Sequence, residues 1–95
     1  MPIDMEREEF VLSDLLAKRG LDVFRVTRRG KSLTIVSGPA DDPDPHARMT
    51  NTGPRHWRLD LRHHSGRWEP TPFGGELNEL LDTLVSIGRL DPNDA

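Results

Sequence analysis

Residues 56 to 68 read HWRLDLRHHSGRW and hold three of the four histidines and both tryptophans of a 95-residue chain, so metal, proton-transfer or polyanion chemistry should concentrate there. Imidazoles ligate transition metals and exchange protons near neutral pH, while closely spaced arginines contact phosphates and carboxylates. The spacing tests each possibility. On a strand rising about 3.3 Å per residue, His56, Asp60 and His64 share a face but successive members stand about 13 Å apart. Metal donors must all come within about 2.3 Å of one ion. One strand therefore builds no metal site, and His63 and His64 point to opposite faces. Only His46 or residues of other strands could complete one, so neither a metal nor a cofactor is expected. The acidic DDPDP at 41 to 45 lacks the ligand spacing and closing bidentate Glu of a calcium loop.

Catalytic signatures are also missing from the sequence. Ser13, Ser32, Ser37, Ser65 and Ser86 sit in no G-x-S-x-G elbow, and neither a phosphate-binding or dinucleotide glycine pattern nor H-E-x-x-H occurs. With no cysteine, thiolate nucleophiles, disulfides and Cys-based metal sites are excluded, which fits a reducing compartment. The expectation is a non-enzymatic protein. MPIDMEREEF is acidic where a secretory leader would be basic and then apolar, and no apolar run approaches the ~18 residues of a membrane span, so a cytoplasmic location is expected.

Charge is segregated along the chain. Nine of the thirteen Lys and Arg residues lie between 23 and 68 against four acids, while the two ends carry six acids each, so the middle is basic and the flanks acidic. Such asymmetry fits either a surface for a polyanion or two acidic helices flanking a sheet.

The elements that position these residues follow from periodicity. A first helix is expected from about Met5 to Arg19, capped by Asp4 and stopped by Gly20, with Met5, Leu12, Leu15 and Leu16 on its apolar stripe and Phe10 on the opposite side. LDVFRVTR and KSLTIVSG read as a hairpin turning at Arg29-Gly30, which puts Phe24, Val26, Leu33 and Ile35 on one face and Arg25 on the other. Residues 38 to 55 carry four of the eight prolines and almost no large apolar side chain. They read as a long exposed loop, with room for a short strand around Ala47 to Thr50.

HWRLDLR then alternates strictly, with Trp57, Leu59 and Leu61 inward and His56, Arg58, Asp60, Arg62 and His64 outward. A two-residue turn at Ser65-Gly66 would pair His64 with Arg67 and Arg62 with Glu69, carry Trp68 into the core, and let Pro70 and Pro72 end the pairing. ELNELLDTLVSIG gives a second amphipathic helix with Leu77, Leu80, Leu81, Leu84 and Ile87 on its stripe. Gly88 and Leu90 close it, Pro92 follows, and residues 91 to 95 form a short tail.

The expected fold is thus an α+β two-layer sandwich in the order α-β-β-loop-β-β-α, one domain whose antiparallel sheet has both helices on one face. The other face is left open and displays Arg25, His56, Arg58, Arg62, His64 and Arg67 as candidate partner-binding residues. A protein partner is the first expectation and nucleic acid the alternative. With Phe24, Trp57 and Trp68 all inside, no aromatic platform remains for base stacking. The chain is expected to be a monomer or a weak homodimer, with Phe10 and an edge strand as the contact.

Residues 53 to 84, GPRHWRLDLRHHSGRWEPTPFGGELNELLDTL, resemble the C-terminal part of frataxins, in which a strand, a G-x-W strand, a glycine-bearing loop and an L-x-E-L-L helix follow in this order. Gly66, Trp68, Leu77, Glu79, Leu80 and Leu81 match. LDVFRV, SLTIV and an acidic first helix extend the likeness loosely. The resemblance implies an α-β-α sandwich and, as a further alternative, a metal-linked or Fe–S assembly accessory protein whose acidic first helix faces iron or its partners. The chain departs from the family between Val36 and Gly53, where frataxins have two further strands and an exposed tryptophan.

Overall fold

The structure is a computed structural model, and it describes residues 4–91. Helix α1 (Met5–Lys18) begins where expected, with the Asp4 carboxylate accepting a hydrogen bond from the Arg7 amide at 3.3 Å. It ends in a Schellman motif: the Leu21 amide donates to the Leu16 carbonyl at 2.9 Å and the Gly20 amide to that of Ala17 at 3.1 Å, with Gly20 at φ 72°. Leu16 and Leu21, the apolar pair that closes such a motif, are both buried. Helix α2 (Leu77–Ser86) opens on a capping box between Glu76 and Glu79. It closes with the same device at Gly88, where the Arg89 amide reaches the Leu84 carbonyl at 2.9 Å. The two helices are tied together by Arg19, which bonds the Asn78 side chain and pairs with Asp82, each at 2.6 Å.

Between them runs an antiparallel sheet in the order β1-β2-β3-β4-β5, formed by β1 (Arg25–Arg29), β2 (Ser32–Ser37), β3 (Asp44–Gly53), β4 (His56–Arg62) and β5 (Trp68–Gly75). This is the expected α+β sandwich with five strands instead of four. The proline-rich segment is not a long loop: only its first residues and the 54–55 turn are, and Asp44–Gly53 is the middle strand of the sheet. Its inward residues are small or unbranched, Ala47 and Met49, both fully buried. Flanked by two strands that supply the bulk, it contributes little apolar volume of its own.

Both hairpins turn differently from the simplest reading. In the first, Arg29 pairs with Ser32, so the turn sits one residue later. That changes each partner by two and leaves the side chains of β1 and β2 on their expected faces, whereas Val23, expected opposite Phe24, lies before β1 and packs against the core. In the second, Arg62 pairs with Trp68, and residues 63–67 form a five-residue loop closed by the His63 amide on the Arg67 carbonyl at 2.8 Å. Here the pairing moves by one, and a one-residue slip reverses the face. Trp68 is therefore on the outer side, and the expected His64–Arg67 and Arg62–Glu69 pairs do not form.

Pro70 and Pro72 do not end the pairing either. They lie in an edge strand, where a missing N–H is tolerated, and beside the irregularity between Arg58 and Asp60 the Thr71 hydroxyl donates to the Leu59 carbonyl at 2.7 Å.

The core between helices and sheet is one cluster that includes Leu12, Leu16, Leu33, Ile35, Trp57, Leu59, Leu80, Leu81 and Leu84. Phe10 is 73 % exposed, as its place opposite the stripe implies, whereas Ile87 is 45 % exposed and not in the core, because the chain leaves α2 at that residue. Pro92 and the rest of the expected tail lie outside the described residues beyond Asp91. Leu81→Ala should destabilise the fold by about 2–5 kcal/mol, and Ile87→Ala by no more than about 0.5 kcal/mol. Urea unfolding of the two variants checks the contrast.

Candidate functional site

The five-stranded pairing carries a row of residues straight across the uncovered face: Thr27, Thr34, Arg48, Asp60 and Pro70, each opposite the next. Asp60 stands in this row at 1 % exposure although no helix covers it. A buried carboxylate must be paired, and its cover comes from its neighbours. From β3, Arg48 donates through Nε and Nη2 to Asp60 Oδ2, at 3.2 and 3.0 Å. From its own strand, Arg58 brings Nε to 3.7 Å from Oδ1, an oxygen that accepts no hydrogen bond among the described residues. Trp68, opposite Arg62 on β5, lies under two guanidinium groups, that of Arg48 at 4.7 Å and that of Arg62 at 5.3 Å from the ring centroid. Such cation–π contacts contribute about 0.5–1 kcal/mol each at exposed sites and more where water is excluded.

The result is a chain of dependence. Asp60 fixes the Arg48 guanidinium, Arg48 lies over the Trp68 ring, and Arg62 approaches the same ring from the neighbouring strand. The indole is half-buried and held in place between two arginines, while Arg58 approaches Asp60 from the other end of the strand.

The six residues singled out from the sequence divide into two groups. Arg25, His56, Arg58 and Arg62 lie on the outer face. Arg25 sits at the far edge, where its Nη1 donates to the Gly38 carbonyl at 2.6 Å. His56 closes the β3–β4 turn, with Nδ1 at 2.6 Å from the Thr52 hydroxyl and its ring so close to Gly74 that a Cβ there would meet it at 3.2 Å. His64 and Arg67 are exposed in the 63–67 loop, off the strand ladder. Histidines 56 and 64 are thus not in one row.

Two residues that matter at the site were missed from the sequence. Arg48 falls within the segment whose prolines read as a loop, although Ala47-Arg48-Met49-Thr50 already alternates. Trp68 reads as a core residue if Ser65-Gly66 is a two-residue turn, and nothing in the sequence distinguishes that turn from a five-residue loop at HHSGR.

Among the described residues, no three His, Asp or Glu side chains gather closely enough to share a metal ion, and no helix is long and apolar enough to cross a membrane. Comparison with known proteins returned no matching family, no matching curated protein and no matching solved structure. The likeness to frataxins accordingly stands on the sequence pattern alone.

Removing Arg48 leaves a buried carboxylate without its main partner, whereas removing the charge as well does not. Arg48→Met should therefore destabilise by about 3 kcal/mol, and adding Asp60→Asn should recover more than half of that loss. Chemical denaturation of the single and double variants measures both.

Proposed function

We propose that this chain is a small binding protein whose outer sheet face receives an acidic surface of a protein partner, with Trp68 between Arg48 and Arg62 as its anchor and Arg58 farther along the same face. The observation that carries the reading is the placement of Trp68. A half-buried indole flanked by two arginines, on a face that neither helix nor any other described element covers, has the composition that dominates binding energy at protein interfaces. The group is also held before any partner arrives. The ring lies on a strand and under two guanidinium groups, so little side-chain freedom is left to lose on association. Charge adds direction: the helix layer carries Glu6, Glu8, Glu9, Asp14, Glu76, Glu79 and Asp82, whereas the sheet face is basic, and an acidic partner is steered to the sheet side.

Nucleic acid is the second reading, and Trp68 is also what favours it, since it supplies the aromatic ring that a single-strand-binding sheet needs. It ranks second because two guanidinium groups already occupy that ring and the chain is net negative, at −3. A frataxin-like accessory protein would instead answer Fe²⁺ or Co²⁺ with amide shifts in α1.

Cross-linked capture from the native lysate, followed by identification of protein and nucleic acid, separates the readings. The expected result is a discrete protein that is lost with Trp68→Ala and with Arg58→Glu, both folded, and kept with Arg7→Glu on the opposite side. Recovery of RNA or DNA, with an affinity that falls steeply with salt, would favour the second reading. Capture unchanged by Trp68→Ala would refute both.

A further inference from the structure

A separate concavity of about 430 Å³ opens at one end of the sheet, where the 63–67 loop meets the start of β3 and the segment after α2. Its lining is strongly basic in type: Arg62, Arg89, His46, His63 and His64, against one carboxylate, that of the exposed Asp44. These residues come from three separate parts of the chain. Their convergence depends on the five-residue loop and on the Schellman turn that directs Arg89 back toward the sheet.

The hydrogen bonds distinguish groups already committed from groups still available. His63 is committed: its Nδ1 accepts from the Ser65 amide at 3.1 Å, which leaves the ring proton on Nε2, 3.5 Å from Glu69 Oε1. It forms a wall against which the His64 ring packs, at a centroid distance of 3.9 Å. His46 uses Nε2 on the Ser37 hydroxyl at 2.7 Å and sets its ring edge-on to Phe24. Its Nδ1 is left. Arg89 spends one long bond, 3.4 Å, on the Arg62 carbonyl, and Arg62 rests on Trp68. Each guanidinium has five N–H donors, and most of them make no hydrogen bond among the described residues.

We propose that this cleft binds the phosphate group of a small organic phosphate. A planar carboxylate is satisfied by one guanidinium fork. A tetrahedral oxyanion with three outward oxygens uses donors that arrive from several directions, which is what Arg62, Arg89, His46 and His64 supply. The volume lies within the 300–1,000 Å³ typical of small-molecule sites and exceeds the needs of a bare anion, leaving room for an organic part. The cleft shares only Arg62 with the sheet face and does not depend on that face having a protein partner.

The test is a ¹H–¹⁵N NMR titration of the full chain with inorganic phosphate, glycerol 3-phosphate, acetate and a 5′-phosphorylated oligonucleotide. Saturable shifts of the His64, Gly66 and Arg89 amides with the first two, and none with acetate, are expected. Arg89→Gln should weaken binding by about tenfold or more, His64→Asn by less, and Asp44→Asn should strengthen it by removing the opposing charge. His64 and Asp44 are exposed, so their variants keep the test valid if Arg89→Gln fails to fold. Arg58→Ala, on the sheet face, should leave the titration unchanged while impairing the protein binding proposed above. Acetate binding as tight as phosphate, saturation by the oligonucleotide alone, or affinities insensitive to Arg89, His64 and Asp44 would overturn the proposal.

Discussion

A carboxylate at 1 % exposure has to be surrounded, and Asp60 sits on the side of the sheet that neither helix covers. Its cover is drawn from the sheet itself. Arg48 crosses from the middle strand to bond it twice, Arg58 leans in from its own strand, and Trp68 lies beneath the Arg48 guanidinium on the far side. Without this pair the outer face would be a set of solvated arginines with an indole stranded among them. With it, three adjacent strands are pinned in register on the side the helices do not reach. A buried ion pair gives less net stability than its Coulomb energy, because both charges lose water, and its stronger effect is to specify one arrangement. Here that arrangement includes the orientation of the residues proposed to meet a partner.

The opposite side of the sheet follows the ordinary hydrophobic rule and was the more legible part. Both helices could be read with their ends, because Asp4, Gly20 and Gly88 mark starts and stops by local hydrogen bonding that needs no tertiary information. β4 was equally plain, since strict alternation divides Trp57, Leu59 and Leu61 from Arg58 and Asp60. β3 was not. DPHARMTNTG offers only Ala47 and Met49 to the core, and it is a strand because β2 and β4 bury it between them rather than through any propensity of its own. β5 was half legible: its prolines argue against a strand in the middle of a sheet and are acceptable only at an edge, and strand order is not written in the local sequence.

The candidate site was less legible than the fold, and the reason is parity. At the first hairpin the turn moved by one residue and the faces were preserved. At the second, HHSGR closes as a five-residue loop, the pairing shifts by one, and Trp68 passes from the core side to the open side. Arg58 and Arg62 kept their expected face because β4 is fixed by its own alternation. His64 and Arg67 left the ladder because the loop absorbed them, and in doing so His64 joined His46, Arg62 and Arg89 around the end of the sheet. One turn length therefore decides both the aromatic centre of the open face and the existence of the basic cleft.

The position of the Trp68 ring is accordingly what the account rests on, and nuclear Overhauser contacts from its indole protons test it directly. The structure predicts contacts to the side-chain protons of Arg48 and Arg62. Contacts from that ring to the methyl groups of Leu80, Leu81 or Leu84 would place it in the core and contradict the account.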